Sequence, residues 1–158
     1  MDTGGDMVSI GSVLIPVLAG WEVQGDPSEN DVNLSAEDGT WVYALTGTVD
    51  ATTDAGSALS GTLDSLLPAD SYSQLEQSAI EPIDPFGSVV SGAVMDYSAL
   101  WVDTQGSTPV YGRIYAAIRQ DGTALIMSFE HSPPEEFESS MATWGPLLEE
   151  TFSLFGSN

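Results

Sequence analysis

Arg113 and Arg119 are the two basic side chains of a chain that carries 24 acidic ones and no lysine. Both fall on the odd-numbered side of a strand predicted over 110–120, beside Tyr111 and Tyr115, because side chains alternate along a strand. Tyrosine and arginine are enriched in protein-binding hot spots. Tyr111, Arg113, Tyr115 and Arg119 are therefore the candidate protein-binding residues. The competing reading is structural. It pairs Arg113 with Glu130 across a hairpin and leaves Arg119 in solvent, an arrangement that contributes roughly 0–1 kcal/mol. The structural reading is the commoner outcome for such pairs.

Other chemistries find less support. His131 is the single histidine, so a multi-histidine zinc site is excluded. A Ser-His-carboxylate triad would need His131, and the chain has no G-x-S-x-G elbow. A structural or solvent-exposed role is expected for it. Asp26, Glu29 and Asp31 are close in sequence, as are Glu135, Glu136 and Glu138. Neither set has the spaced oxygens and central glycine of a calcium loop. They read as a solvated turn and a helix start. Among 24 acids, carboxylate pairs of the glycosidase kind arise by chance. Gly4-Gly5 and the other glycines show no phosphate-binding pattern. No catalytic residue, metal ligand or cofactor site is expected, and the chain reads as non-enzymatic.

The net charge of -22 acts mainly by exclusion. Phosphate contacts require lysine and arginine, so nucleic acid is not an expected partner. Anionic membranes are disfavoured for the same reason. A basic protein partner is compatible with an acidic field. So is the plainer explanation, a composition biased by a GC-rich genome or a salty habitat. No apolar run approaches the roughly 20 residues of a membrane helix, and 13–19 is short and contains Pro16. Absence of cysteine excludes disulfides and thiolate chemistry. The first residues show neither the basic start nor the apolar core of a signal peptide. The expected location is cytoplasmic, with Met1 as the native start; with a leader removed it is extracytoplasmic. At 158 residues, 42% of them hydrophobic, the chain fits one folded domain over 1–158, a monomer or weak homodimer.

The elements that must position these residues follow from periodicity and turn chemistry. An edge strand is predicted over 7–17 and a short one over 21–24. Residues 31–37 and 40–49 form a hairpin at Asp38-Gly39, a favoured two-residue loop. That register sets Ala36, Leu34 and Val32 opposite Trp41, Tyr43 and Leu45. Residues 54–67 form a helix capped by Asp54, with Leu59, Leu63, Leu66 and Leu67 on one stripe. Another strand is predicted within 71–83, then a long one over 89–103 with both faces partly apolar. Residues 110–120 and 123–131 form a second hairpin at Asp121-Gly122, setting Ile118 opposite Leu125 and Arg113 opposite Glu130. The last helix is predicted to start at a Ser132-x-x-Glu135 capping box. Its stripe is Phe137, Met141, Trp144, Leu148, Phe152 and Phe155, with a kink before Pro146 and a stop at Gly156.

Ile15-Pro16 followed by Gly20-Trp21, and the aromatic run ending at Phe152 and Phe155, resemble the Mog/PsbP-like superfamily over nearly the whole chain. The resemblance implies an α+β fold: an antiparallel sheet of about six to seven strands flanked by helices on both faces. It also implies a mostly non-enzymatic lineage. That lineage includes a Ran-binding protein, photosystem accessory subunits, bacterial lipoproteins and Eag-type chaperones. The expected function is a non-catalytic protein-binding module: a chaperone, adaptor or assembly factor. The alternative is an exported small-ligand-binding or cell-surface protein.

Overall fold

The two long hairpins turn on nearly the same phrase, Glu37-Asp38-Gly39-Thr40 and Gln120-Asp121-Gly122-Thr123. The computed structural model describes residues 7–50 and 52–157; Met1 and the Gly4-Gly5 pair lie outside them. In both turns the glycine has positive φ, 95° and 88°, a conformation open to a residue without Cβ. Its N–H donates to the carbonyl three residues back, Ala36 at 3.1 Å and Arg119 at 3.0 Å. The aspartate carboxylate accepts the threonine N–H at 2.9 Å in each. Three residues therefore form each loop, where the Asp-Gly pair alone predicts two. The turn is of the type I plus left-handed glycine kind. The extra residue slips both registers by one, and such a slip exchanges the two faces of a strand.

Among the described residues ten strands and two helices follow in order. β1 (Met7–Ile10) and β2 (Val13–Pro16) form a separate hairpin through Gly11, whose φ is 64°. The single edge strand expected over 7–17 is thus folded back on itself. β3 (Trp21–Gln24), β4 (Asp31–Ala36) and β5 (Trp41–Thr48) form a meander. Leu34 sits opposite Val42 and Val32 opposite Ala44, which corrects the pairing with Tyr43 and Leu45. Helix α1 (Ala55–Leu66) begins as expected, with the Asp54 carboxylate accepting the Ser57 N–H at 2.7 Å. β6 (Tyr72–Gln77) and β7 (Glu81–Ile83) both pair with β8 (Val89–Asp103).

β9 (Gly106–Arg119) begins earlier than expected because a two-residue turn at Thr104-Gln105 lets it pair with β8 along its length. Pro109 is tolerated there because β10 (Thr123–His131) reaches only to Tyr111. Proline fits such an edge position. Across the second hairpin Arg113 faces Phe129, Glu130 faces Gly112 and Leu125 faces Ala117. A single 3-10 turn, Pro134–Glu136, precedes helix α2 (Met141–Gly156). The capping box does not form. Pro133 is extended, with ψ 159°, because the proline that follows disfavours the helical region. Met141 is 39% exposed, and Leu147 takes its place in the buried stripe.

Eight strands make one antiparallel sheet in the order β3-β4-β5-β10-β9-β8-β6, with β7 also on β8. Helix α1 packs Ala55, Leu59 and Leu66 onto Met95, Ile114 and Ile126. On the other face α2 packs Trp144, Leu147 and Phe155 onto Leu34, Met127 and Phe129, with the β1–β2 hairpin in the same core. The architecture is the expected α/β/α sandwich, with one strand more than the upper count.

Candidate functional site

Alternation places all four candidate residues on the α2 side of β9. Tyr111, Arg113 and Tyr115 are half-buried there, and Arg119 is buried at 4% exposure. Arg113 does not meet Glu130, because the shifted register sends Glu130 to the opposite face. Its partner is Asp96 on β8: Nε donates to Oδ1 at 2.7 Å and Nη2 to Oδ2 at 3.2 Å. The guanidinium also lies 3.5 Å from Glu138 and 5.4 Å from the centre of the Phe137 ring. Tyr111 donates its hydroxyl to Asp96 as well. Burial pushes the Asp96 carboxyl up, but the hydrogen bonds from Arg113 and Tyr111 outweigh it and hold the pKa below its ordinary value.

Arg119 is not in solvent. Its guanidinium stacks 4.6 Å above the Phe155 ring, reaches Ser12 at 3.3 Å and lies 3.6 Å from Asp121. Its Nε and Nη1 have no hydrogen-bond partner among the described residues. Phe155 of α2 thus covers Arg119, whereas Tyr111, Arg113 and Tyr115 keep part of their surface at clefts beside Asp96.

The other chemistry-bearing residues disperse. His131 is buried at 3% exposure. Its Nδ1 lies 3.0 Å from the Thr40 hydroxyl and its Nε2 3.7 Å from Glu136, so the role is structural and not solvent-exposed. The two acid groups do not close on themselves: Asp31 accepts from Ser28 and Tyr43, while Glu138 turns to Arg113. Among the described residues no three His, Asp or Glu side chains lie close enough to hold a metal ion. No helix there is long and apolar enough to cross a membrane.

The exposed chemistry lies on the opposite face of the sheet. Helix α1 stops at Leu66, and Leu67 closes it by donating its N–H to Leu63 at 2.7 Å. Proline at position 68 prevents continuation. Beyond that end the sheet is bare, and Trp41, Tyr43, Tyr72 and Trp101 rise around Glu130. The enclosed space is about 230 Å³ and is also lined by Asn33, Ser128 and the Ser65–Leu66 end of the helix. Trp41 and Trp101 are 42% and 36% exposed. The rings are fixed in place. The Trp41 indole donates to Asn33 at 2.9 Å, and the Tyr43 hydroxyl to Asp31 at 2.6 Å. Tyr72 stands edge-on to Trp101, with centroids 5.1 Å apart.

Glu130 is held by two tyrosines. Tyr72 donates to Oε1 at 2.7 Å, and Tyr97 donates to the same oxygen. Tyr97 reaches it from two strands away by laying its ring across Gly112. A Cβ at that position would come within 2.3 Å of the ring, so only glycine fits. Burial raises the pKa of Tyr72 and Tyr97 well above the tyrosine range, and the neighbouring Glu130 adds to the shift. Burial also lifts Tyr43, to about 12, with its hydrogen bond to Asp31 contributing. These hydroxyls stay protonated and donating at any physiological pH.

No family model matches the chain, and no curated protein matches it. Solved structures do. The Saccharomyces cerevisiae Ran-binding protein Mog1p superposes with a TM-score of 0.58 at 13% identity, covering 94% of this chain and 93% of that one. A mutant form of protein Mog1 gives a TM-score of 0.59 at 12% identity over the same shares. At this identity the likeness shows the fold: the α+β sandwich of Mog1.

Proposed function

We propose that the protein is a non-catalytic binding module that serves a basic protein as chaperone, adaptor or assembly factor. The observation that carries this reading is the likeness, over nearly the whole chain, to the fold of a Ran-binding protein. Charge supports it. A net charge of -22 raises encounter rates with cationic surfaces. The reading as an exported small-ligand protein has less support. The aromatic pocket, at about 230 Å³, falls short of the roughly 300–1,000 Å³ typical of small-molecule sites, and the cleft of about 410 Å³ beside Asp96, Arg113 and Tyr115 that reaches that size is half-open to solvent.

Affinity capture from the native host tests the proposal, with an acidic protein of matched charge as control and salt near 0.15 M. The expected outcome is a discrete protein retained in stoichiometric amount by this chain and not by the control. Equal retention by both proteins, or by neither, removes the reading. So does turnover in a broad hydrolase screen at acidic and neutral pH.

A further inference from the structure

We propose that the aromatic pocket beyond the end of α1 receives a lysine or arginine side chain projecting from the basic partner. The inference rests on the protein-binding reading above and adds to it the place and chemistry of one anchor. Four observations converge on a cation. The walls are aromatic faces and edges, and Trp41 and Trp101 are open to solvent. Aromatic faces attract organic cations, tryptophan most strongly.

The second observation is Glu130. Both of its hydrogen bonds fall on Oε1, and Oε2 has no hydrogen-bond partner among the described residues. The carboxylate is thus fixed by tyrosine donors with half its accepting capacity unused. Third, among the described residues no cation of this chain is near. Arg113 and Arg119, its only basic residues, lie on the opposite face, against Asp96 and Phe155. Among the described residues nothing supplies Glu130 with a counter-charge. Fourth, α1 points its C-terminal end at the pocket through Ser65 and Leu66. That end of a helix carries roughly half a negative charge and favours cations.

Size and shape select the occupant. The space suits one extended side chain. A long aliphatic stem lies along the rings of Tyr72 and Trp101 while the charged head meets Glu130. Lysine and arginine bury their stems on apolar surface in this way.

Three capped tripeptides test this on the full chain at about 0.5 M salt, where long-range attraction is screened. They carry lysine, arginine or norleucine between two glycines. The readout is the indole N–H resonance of each tryptophan. Trp41 and Trp101 line the pocket, whereas Trp21 and Trp144 are buried at 7% and 1% exposure and serve as internal controls. The cationic peptides are expected to shift Trp41 and Trp101 alone, and norleucine to shift none.

Glu130→Gln keeps an acceptor for both tyrosines and should weaken binding roughly fivefold, the scale of about 1 kcal/mol. Trp101→Ala, on an exposed ring, should abolish the shifts without loss of folding. Glu150→Gln removes an exposed charge on α2, across the sheet from the pocket, and should change nothing. Equal shifts with norleucine, or undiminished binding in Glu130→Gln and Trp101→Ala, overturn the proposal. Binding of tetramethylammonium with no response to either cationic peptide overturns it too, by making the pocket a small-cation site. The two readings fail separately. A captured partner held equally by wild type and Trp101→Ala defeats the pocket and leaves the binding module. Peptide binding with no captured partner does the reverse.

Discussion

The two faces of the sheet use aromatic residues in opposite ways. Under α2, Phe129, Phe137, Trp144 and Phe155 are all at or below 1% exposure, and Phe129 and Phe137 each pack a tilted ring against Trp144. Arg119 on that face is absorbed by the same packing. On the α1 side, Trp41, Tyr43, Tyr72 and Trp101 surround a carboxylate, and the two tryptophans stay open to solvent. The difference traces to helix length and position. The 16-residue α2 covers its face together with the β1–β2 hairpin, whereas the 12-residue α1 stops short. The lesson is that residue type does not separate binding surface from core; what the helices leave uncovered does.

The sharpest test of this contrast truncates one tryptophan on each face. Trp144→Ala should cost about 3–5 kcal/mol in urea unfolding, the usual range for a fully buried aromatic. Trp101→Ala should cost about 1 kcal/mol or less, as for a partly exposed ring that loses one edge contact. Equal losses would break the comparison.

Gly112→Ala comes next. The added methyl collides with Tyr97, and overpacking of this kind costs roughly 1–3 kcal/mol. It should also release Glu130 from its Tyr97 hydrogen bond and move the Trp41 and Trp101 indole resonances. An unchanged melting temperature with unchanged indole spectra would show that the pocket does not depend on the ring crossing.

A smaller effect is expected from Asp96→Asn on the α2 face. The folded pKa of Asp96 lies below the ordinary value of 3.8. Its contribution to stability is therefore present above that value and lost as pH falls through the lower folded pKa. The substitution should lower stability at neutral pH, where this contribution is present in full, and flatten the acid limb of the stability curve. An unaltered acid limb would mean that the Arg113–Asp96 contact does not report on folding. The smallest change is with salt. Because both arginines are already engaged on one face, screening acts mainly on repulsion among acids. The melting temperature should rise modestly between low and high salt, and a flat response would contradict this.

Much of the fold is legible in the sequence. The β8 boundaries, the Asp54 cap of α1 and the stop at Gly156 all follow from periodicity and turn residues. The candidate site is not, and the reason is specific. Reading each Asp-Gly pair as a two-residue loop puts Trp41 and Tyr43 beside Leu34 in the core, and turns Glu130 toward Arg113. The true register moves both tryptophan and tyrosine to the α1 side and brings Glu130 alongside. The available signal is the threonine after each glycine, whose N–H the aspartate can accept. The alternation of Val42 and Ala44 against Trp41 and Tyr43 points the same way. The coverage of Arg119 by Phe155 has no such signal, since it depends on how α2 is placed across the sheet.

The paired loops also govern how the molecule ages. Asp-Gly sequences are prone to isomerise when the glycine nitrogen attacks the aspartate carboxyl and forms a cyclic imide. In both loops that nitrogen is engaged with a backbone carbonyl, and the carboxylate is turned toward the threonine N–H. The folded chain therefore shields its two hairpin loops from this reaction, and unfolding exposes both at once. Isoaspartate at residues 38 and 121 would act as a chemical clock of time spent unfolded.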